Sequence, residues 1–269
     1  MISDFFKYEF LQNALIASLL CSVICAVIGV MISEKKLVMM SGGIAHTAYG
    51  GVGLGYLLGF NPLLGAGIFS VASAAIIGNI KRKTSTNSDV IISLLWSLGM
   101  ASGVIFTSLM EGYPPDMNAY LFGNILSVTK DDIRLMLILA AFVLISIISL
   151  FNSWKAFLFD SEFSKIRGLK TVFLEYLLLI LTALSVVVLI RAVGIILVIA
   201  LFASPAATSS ILTKRLNSRM LISFLFSLVS CISGLMISYN FGISSGASIV
   251  FVSVITYFVI LLTKKIIRH

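Results

Sequence analysis

Charge is what this sequence most lacks. Only 11% of its 269 residues are Asp, Glu, Lys or Arg, against about 25% in an ordinary soluble domain. No charged residue occurs from Leu37 to Ile80, nor from Met220 to Thr263. A helix crossing the hydrocarbon core needs about 20 apolar residues, so each stretch is long enough for two crossings. A water-soluble globule is excluded. Histidine is almost missing as well: His269 is the last residue, which leaves His46 alone and no Ser/His/Asp arrangement. Nothing fits Gly-x-x-x-x-Gly-Lys-Ser/Thr, so the chain has no phosphate cradle of that kind and should not hydrolyse nucleotide. No apolar segment carries a pair of ionisable residues suited to a proton relay. The three cysteines, Cys21, Cys25 and Cys231, lie inside apolar segments and read as small buried hydrophobes. Cys21 and Cys25 have i, i+4 spacing, but no other ligand type stands nearby to complete a metal site. This catalytic inventory is that of a conduit and not of an enzyme.

What is present is a series of apolar segments in a chain whose residues are 59% hydrophobic. They predict an all-α, polytopic transmembrane bundle forming a single domain over 1–269. Nine crossings are expected, at 10–33, 38–59, 62–80, 90–110, 133–151, 171–190, 192–212, 219–239 and 245–263. Glu175 makes 171–190 the weakest of them, and its failure would leave eight. The first apolar run follows Asp4, Lys7 and Glu9 without a cleavage signature, so it is expected to remain as a helix. Gly59-Phe60-Asn61-Pro62 marks a tight turn, because proline turns its predecessor away from helix. The Gly-, Ser- and Asn-rich 239–246 closes a final helical hairpin.

The net charge of +8 is spread as short clusters between apolar runs, which is a topology signal and not a nucleic-acid face. One set of connections holds 15 of the 19 Lys and Arg residues, among them Lys35, Lys83, Lys170 and Arg215. The positive-inside rule places that set in the cytoplasm, with the N-terminus outside and the C-terminus cytoplasmic, in a plasma membrane. Residues 152–170 form the longest cytoplasmic connection. They mix Trp154, Phe157, Phe159 and Phe163 with Lys155, Asp160, Glu162, Lys165 and Arg167, a composition for an amphipathic helix on the bilayer or against a partner. On the outer side, 111–132 contains Pro114-Pro115 and a half-apolar Ala119–Gly123, suited to a short interfacial or re-entrant helix.

Few ionisable residues lie in or near the spans. Asp89 follows Asn87-Ser88, where it reads either as a helix cap or as part of a path, the cap being the commoner use. Glu175 and Arg191 sit near opposite ends of one segment and reach the interfaces. His46 lies inside an uncharged run among Gly42, Gly43, Gly50, Gly51, Gly53 and Gly55, small residues that let helices approach closely. It reads either as a hydrogen-bonded core residue or as a transient metal ligand.

Several segments resemble one family. Val193–Thr208, VGIILVIALFASPAAT, is similar to the “VG-apolar-run-PAAT” segment of permease subunits of bacterial ABC importers for zinc, manganese or iron. Tyr120–Asp132 resembles that family's “YLFG…L…V…D”, Gly242–Val250 its “G…G.SIVL”, and Phe159–Phe163 its “FDPE” loop. The likeness is collinear over most of 10–265. It implies a homodimer of permeases around the path, ATP-binding subunits in the cytoplasm, an extracytoplasmic metal-binding protein, and no cofactor of the chain's own. It also implies ATPase coupling through Phe159, Asp160, Glu162 and Phe163. The family's “GDA-x-SHA” is here Ser41–Thr47, with His46 in place and Gly42 where the aspartate stands. Losing that hard oxygen ligand weakens a manganese site more than a nitrogen/sulfur one, so the substrate is left as zinc, manganese, iron or a metal chelate. Without the resemblance, an ion-driven secondary transporter, which would want intramembrane carboxylates, and a non-transporting membrane scaffold also remain.

Overall fold

A computed structural model describes residues 7–83, 88–111 and 117–267. Within them every regular element is a helix. The long helices are α1 (Glu9–Glu34), α2 (Val38–Leu58), α3 (Pro62–Lys83) and α4 (Ser88–Ser108). A short α5 (Asn118–Phe122) and a 3₁₀ turn (Ile125–Ser127) precede α6 (Lys130–Ser149). Then come α7 (Phe151–Phe159), α8 (Ser161–Ile166), α9 (Thr171–Val193), α10 (Ile195–Leu212), α11 (Leu216–Phe241) and α12 (Ser245–Ile267).

The helix ends follow from local chemistry. Gly59 takes the left-handed φ of 72° that stops α2, and Pro62 opens α3 where its missing N–H costs nothing. Thr129 and Asp132 form a capping box at the start of α6: the Thr129 side chain accepts the Asp132 N–H, and Asp132 accepts the Thr129 N–H at 3.0 Å. Asp160 caps α8 by accepting the Phe163 N–H at 2.9 Å. Asp89 stands in the first turn of α4, where its charge meets the positive end of the helix dipole; the residues just before Ser88 lie outside the described ones.

Eight helices among the described residues are long and apolar enough to cross a membrane, and α9 is one of them. Glu175 does not interrupt α9: it sits in the second turn and pairs with Lys81 at 3.7 Å. The ninth long helix, α2, is the one whose composition falls short, because glycine, His46, Thr47 and two tyrosines dilute it. Its 21 residues still span about 31 Å at about 1.5 Å per residue. It needs no lipid-facing surface, since every residue from Met40 to Gly53 is buried. Helices α3 and α4 enclose it, with α9 and α10 completing the sheath.

Contacts sort the helix ends into two groups. At the basic end, Glu34 pairs with Arg219, and Lys35 reaches Phe157 and Ser161. At the opposite end, Lys130 pairs with Glu9, Arg191 with Asp132, and Tyr56 meets Tyr120.

Candidate translocation site

The site is built on α2, and close backbone approach is what builds it. A Cβ on Gly43 would lie 2.8 Å from Ile92 Cγ2, and one on Gly53 2.9 Å from the Gly103 carbonyl oxygen. Gly51 and Gly65 press backbone to backbone on the α3 side. In lipid, such small-residue seams let packing and dispersion hold helices together where the hydrophobic effect does not.

His46 projects from this helix toward α4 and is 9% exposed. Its ring stacks on Trp96, with centroids 3.9 Å apart and planes 16° from parallel. Its Nδ1 stands 3.2 Å from the Met100 sulfur. Thr47, the next residue, donates its hydroxyl back to the Gly43 carbonyl at 2.6 Å and stands 3.4 Å from the Leu95 carbonyl of α4. Gly42, one turn before His46, faces Trp96 and Ile199; a Cβ there would lie 3.2 Å from Trp96 Cζ3. Gly42 and His46 therefore share a face, and an indole occupies the space beside it. Among the described residues no group of three or more His, Cys, Asp or Glu could hold a metal ion.

Beyond the far end of α2 the outer connection is pinned at several points. Tyr56 and Tyr120 hydroxyls are 3.0 Å apart. Burial, then the Tyr56 hydroxyl, pushes the Tyr120 phenol above its ordinary range. Asp132, almost fully buried, accepts from Arg191 at 2.8 Å and from the Thr129 hydroxyl at 2.6 Å. Gly123 and Gly194, with φ of 62° and 81°, bring the chain before α6 against the α9–α10 joint closely enough to leave no room for a Cβ.

At the basic end, 152–170 folds as two short helices. Trp154 is fully buried and donates its indole N–H to the Ser146 carbonyl at 3.1 Å, and Phe157 and Leu158 also face inward. Phe159 and Phe163 face outward, 54% and 52% exposed, with Asp160 and Glu162 between them. Lys35 clamps this pair of helices, donating to the Phe157 carbonyl and, at 2.5 Å, to the Ser161 hydroxyl. Its Nζ also lies 3.8 Å from the centre of the Phe157 ring. Burial, then the nearby Lys81 charge, lowers the Lys35 pKa below the ordinary lysine value.

The model of the ABC 3 transport family matches residues 7–264. The chain belongs to that family. Like other members of the ABC 3 family it is a multi-pass membrane transport protein and not itself an enzyme. The chain is 36% identical over 256 residues to the manganese transport system membrane protein MntC of Listeria monocytogenes, covering 94% of this chain and 90% of that one. It is 33% identical over 263 residues to the manganese import system permease protein ScaB of Streptococcus gordonii, covering 96% and 94%. Among solved structures it superposes on PsaBC from Streptococcus pneumoniae in complex with Fab, with a TM-score of 0.86 and 31% identity over 97% of this chain and 95% of that one. A metal-chelate type ABC transporter in an inward-facing conformation shares the fold, at TM-score 0.75 and 16% identity.

In this ABC 3 chain the structure brings Gly42 and His46 to one face of α2, and sets Phe159, Asp160, Glu162 and Phe163 apart on the outward side of α7 and α8. Asp89 belongs to neither group. Trp96 and Met100 were not singled out in the sequence. Their i, i+4 spacing on an apolar helix is a signal only once α4 is known to face His46.

Proposed function

We propose that the chain is the membrane-spanning permease of an ABC importer for a transition-metal ion, with α2 beside the path. One observation carries this: a helix closed in by protein on all sides presents a single imidazole where the enclosing helices offer no mid-membrane charge. A polar group kept at that depth marks a pathway. The names of the relatives support metal as the cargo, since MntC and ScaB are named for manganese. The sparse donor set suits a conduit, which needs binding weak enough for the ion to leave. Two copies of the chain related by a two-fold axis form the complete path.

The remaining parts follow from the same reading. The basic end faces the cytoplasm, and all nine long helices cross. Phe159, Asp160, Glu162 and Phe163 form the ledge on which a separate ATP-binding subunit docks, with paired aromatics as anchors. An extracytoplasmic metal-binding protein delivers cargo to the opposite end. A reporter fused after Arg215 reads as cytoplasmic and one after Glu111 as external; reversal would overturn the orientation. The deciding experiment is reconstitution of the chain with its ATPase partner in vesicles, followed by uptake of zinc, iron(II) and manganese. ATP-dependent uptake of at least one ion is expected. No ATP-dependent uptake of any of the three would defeat the proposal.

A further inference from the structure

Taking the permease reading and its ATPase ledge on α7 and α8 as base, we infer that Glu34 and Arg219 are positioning residues for coupling. Their buried ion pair joins the α1–α2 turn, which Lys35 fastens to the ledge, to the start of α11, so that movement of the ledge enters the bundle there. Three bodies meet at this turn. Glu34 is the last residue of α1 and pairs with Arg219, the fourth residue of α11. Lys35, the next residue, donates to the Phe157 carbonyl of α7 and to the Ser161 hydroxyl of α8. Only Lys35, Lys36 and Leu37 separate α1 from α2. The Lys36 N–H returns to the Ser33 carbonyl at 3.1 Å and the Leu37 N–H to the Ile32 carbonyl at 2.8 Å, the paired bonds of a Schellman end. Lys36 takes the left-handed φ of 55° usually left to glycine, and among the described residues no other non-glycine residue has a positive φ. A hinge absorbs movement in a few freely turning residues. This turn is pinned at each residue and passes movement on.

The charges argue for a link and against a mere staple. A buried ion pair stabilises little beyond what apolar side chains of the same volume would give, because both charges leave water. Both side chains here are largely buried, and among the described residues the Arg219 Nε finds no hydrogen-bond partner. Each charge also stands at the adverse end of its own helix, an anion where α1 ends and a cation where α11 begins. Each is complemented by the other helix. The pair is therefore favourable when those two ends lie together and costly when either charge is left alone. The seam it closes has little else to interlock. Arg219, Ser223, Ser227 and Cys231 follow at four-residue spacing on one face of α11, all buried. Cys231 lies 3.8 Å from the Ser22 hydroxyl of α1. Ser22 to Glu34 and Arg219 to Cys231 are equal lengths of antiparallel helix, so Ser223 and Ser227 lie along α1 between the two contacts. Among the described residues their hydroxyls have no partner. Small side chains with unmade bonds lose little when α11 shifts along α1, whereas backbone contacts at Gly51 and Gly65 hold α2 fast against α3. Helix α11 is thus the neighbour able to move with the turn.

The test uses the complex reconstituted with its ATPase partner in vesicles, with ATP hydrolysis and uptake of manganese and zinc followed together. The double variant Glu34→Met/Arg219→Met replaces both charges by unbranched apolar side chains. It is expected to melt no lower than the wild type in detergent, since apolar residues replace a buried ion pair without loss, and to assemble and hydrolyse ATP. Metal moved per ATP is expected to fall at least about fivefold, the lower end of the coupling between distant sites. A double variant that moves as much metal per ATP as the wild type overturns the inference, and so does an equal loss of hydrolysis and uptake at an unchanged ratio. A wild-type complex that moves neither ion defeats the permease reading and this inference with it. Should the double variant fail to assemble, spin labels on Lys165→Cys, Arg215→Cys and Lys83→Cys in otherwise wild-type complexes give the answer. On ATP binding the ledge label and the α11 label are expected to keep their separation while both change distance to the label on α3. A changing separation between the first two, or no change in any distance, overturns the inference.

Discussion

Alanine at Gly51 and alanine at Gly67 are the same chemical change with opposite expected results. A Cβ on Gly51 would stand 2.5 Å from the Gly65 carbonyl carbon and 2.8 Å from the Ala66 nitrogen, whereas one on Gly67 meets nothing within 4 Å. The Gly51 neighbours are backbone and cannot rotate away, so α2 and α3 must part by something like 1 Å along their seam. Overpacking of this kind costs about 1–3 kcal/mol, and rigid neighbours put Gly51 at the upper end. Each substitution also regains about 1 kcal/mol that glycine costs inside a helix. The net is then a loss of about 2 kcal/mol for Gly51→Ala and a gain of up to about 1 for Gly67→Ala. At about 2–4 °C per kcal/mol for a chain of this size, Gly51→Ala should melt roughly 4–8 °C lower in detergent. Gly65→Ala strikes the same contact from the other side, so the double variant should lose less than the sum. Gly51→Ala melting at or above Gly67→Ala would refute the close-packed seam on which the placement of His46 depends.

Lys35→Met keeps an apolar stem against Phe157 but removes both donated hydrogen bonds, and it is expected to leave membrane insertion intact while lowering the transport achieved per ATP; unchanged coupling would show that Lys35 does not position α7 and α8. Tyr120 supplies a pH test. Its folded pKa is raised above the ordinary 10.0, so its contribution to stability is fully present below about pH 10 and is lost as pH rises through the folded value. Tyr56→Phe removes one cause of the upward shift, and phenolate absorbance should then appear at lower pH than in the wild type; an unchanged titration would remove Tyr56 as a cause.

The long helices were legible because bilayer thickness fixes their length and the connections carry the charge. Glu175 misled, since a single carboxylate in the second turn of α9 is neutralised by Lys81 and costs the span nothing. The long helix that falls short by composition is α2, whose glycines dilute it because it is wrapped in protein. Residues 152–170 read correctly as amphipathic, and the inward Trp154 and outward Phe159 divide its faces. The Thr129/Asp132 capping box was not singled out in the sequence. Nor was the partner of Arg191, because Asp132 lies on another helix. The same holds for His46. Helices apolar all round carry no periodic signal of which face meets which neighbour, so Trp96 and Met100 entered only with the packing.

The most direct measurement of the central claim is metal uptake by the reconstituted complex carrying His46→Ala, with ATP hydrolysis followed in the same vesicles. If α2 lines the path and His46 handles the ion, the variant folds, assembles with its ATPase and hydrolyses ATP, yet zinc uptake falls to the level of vesicles without ATP. Uptake equal to the wild type would contradict the account. Loss of folding and assembly together would assign His46 to packing against Trp96 and Met100 and contradict it equally.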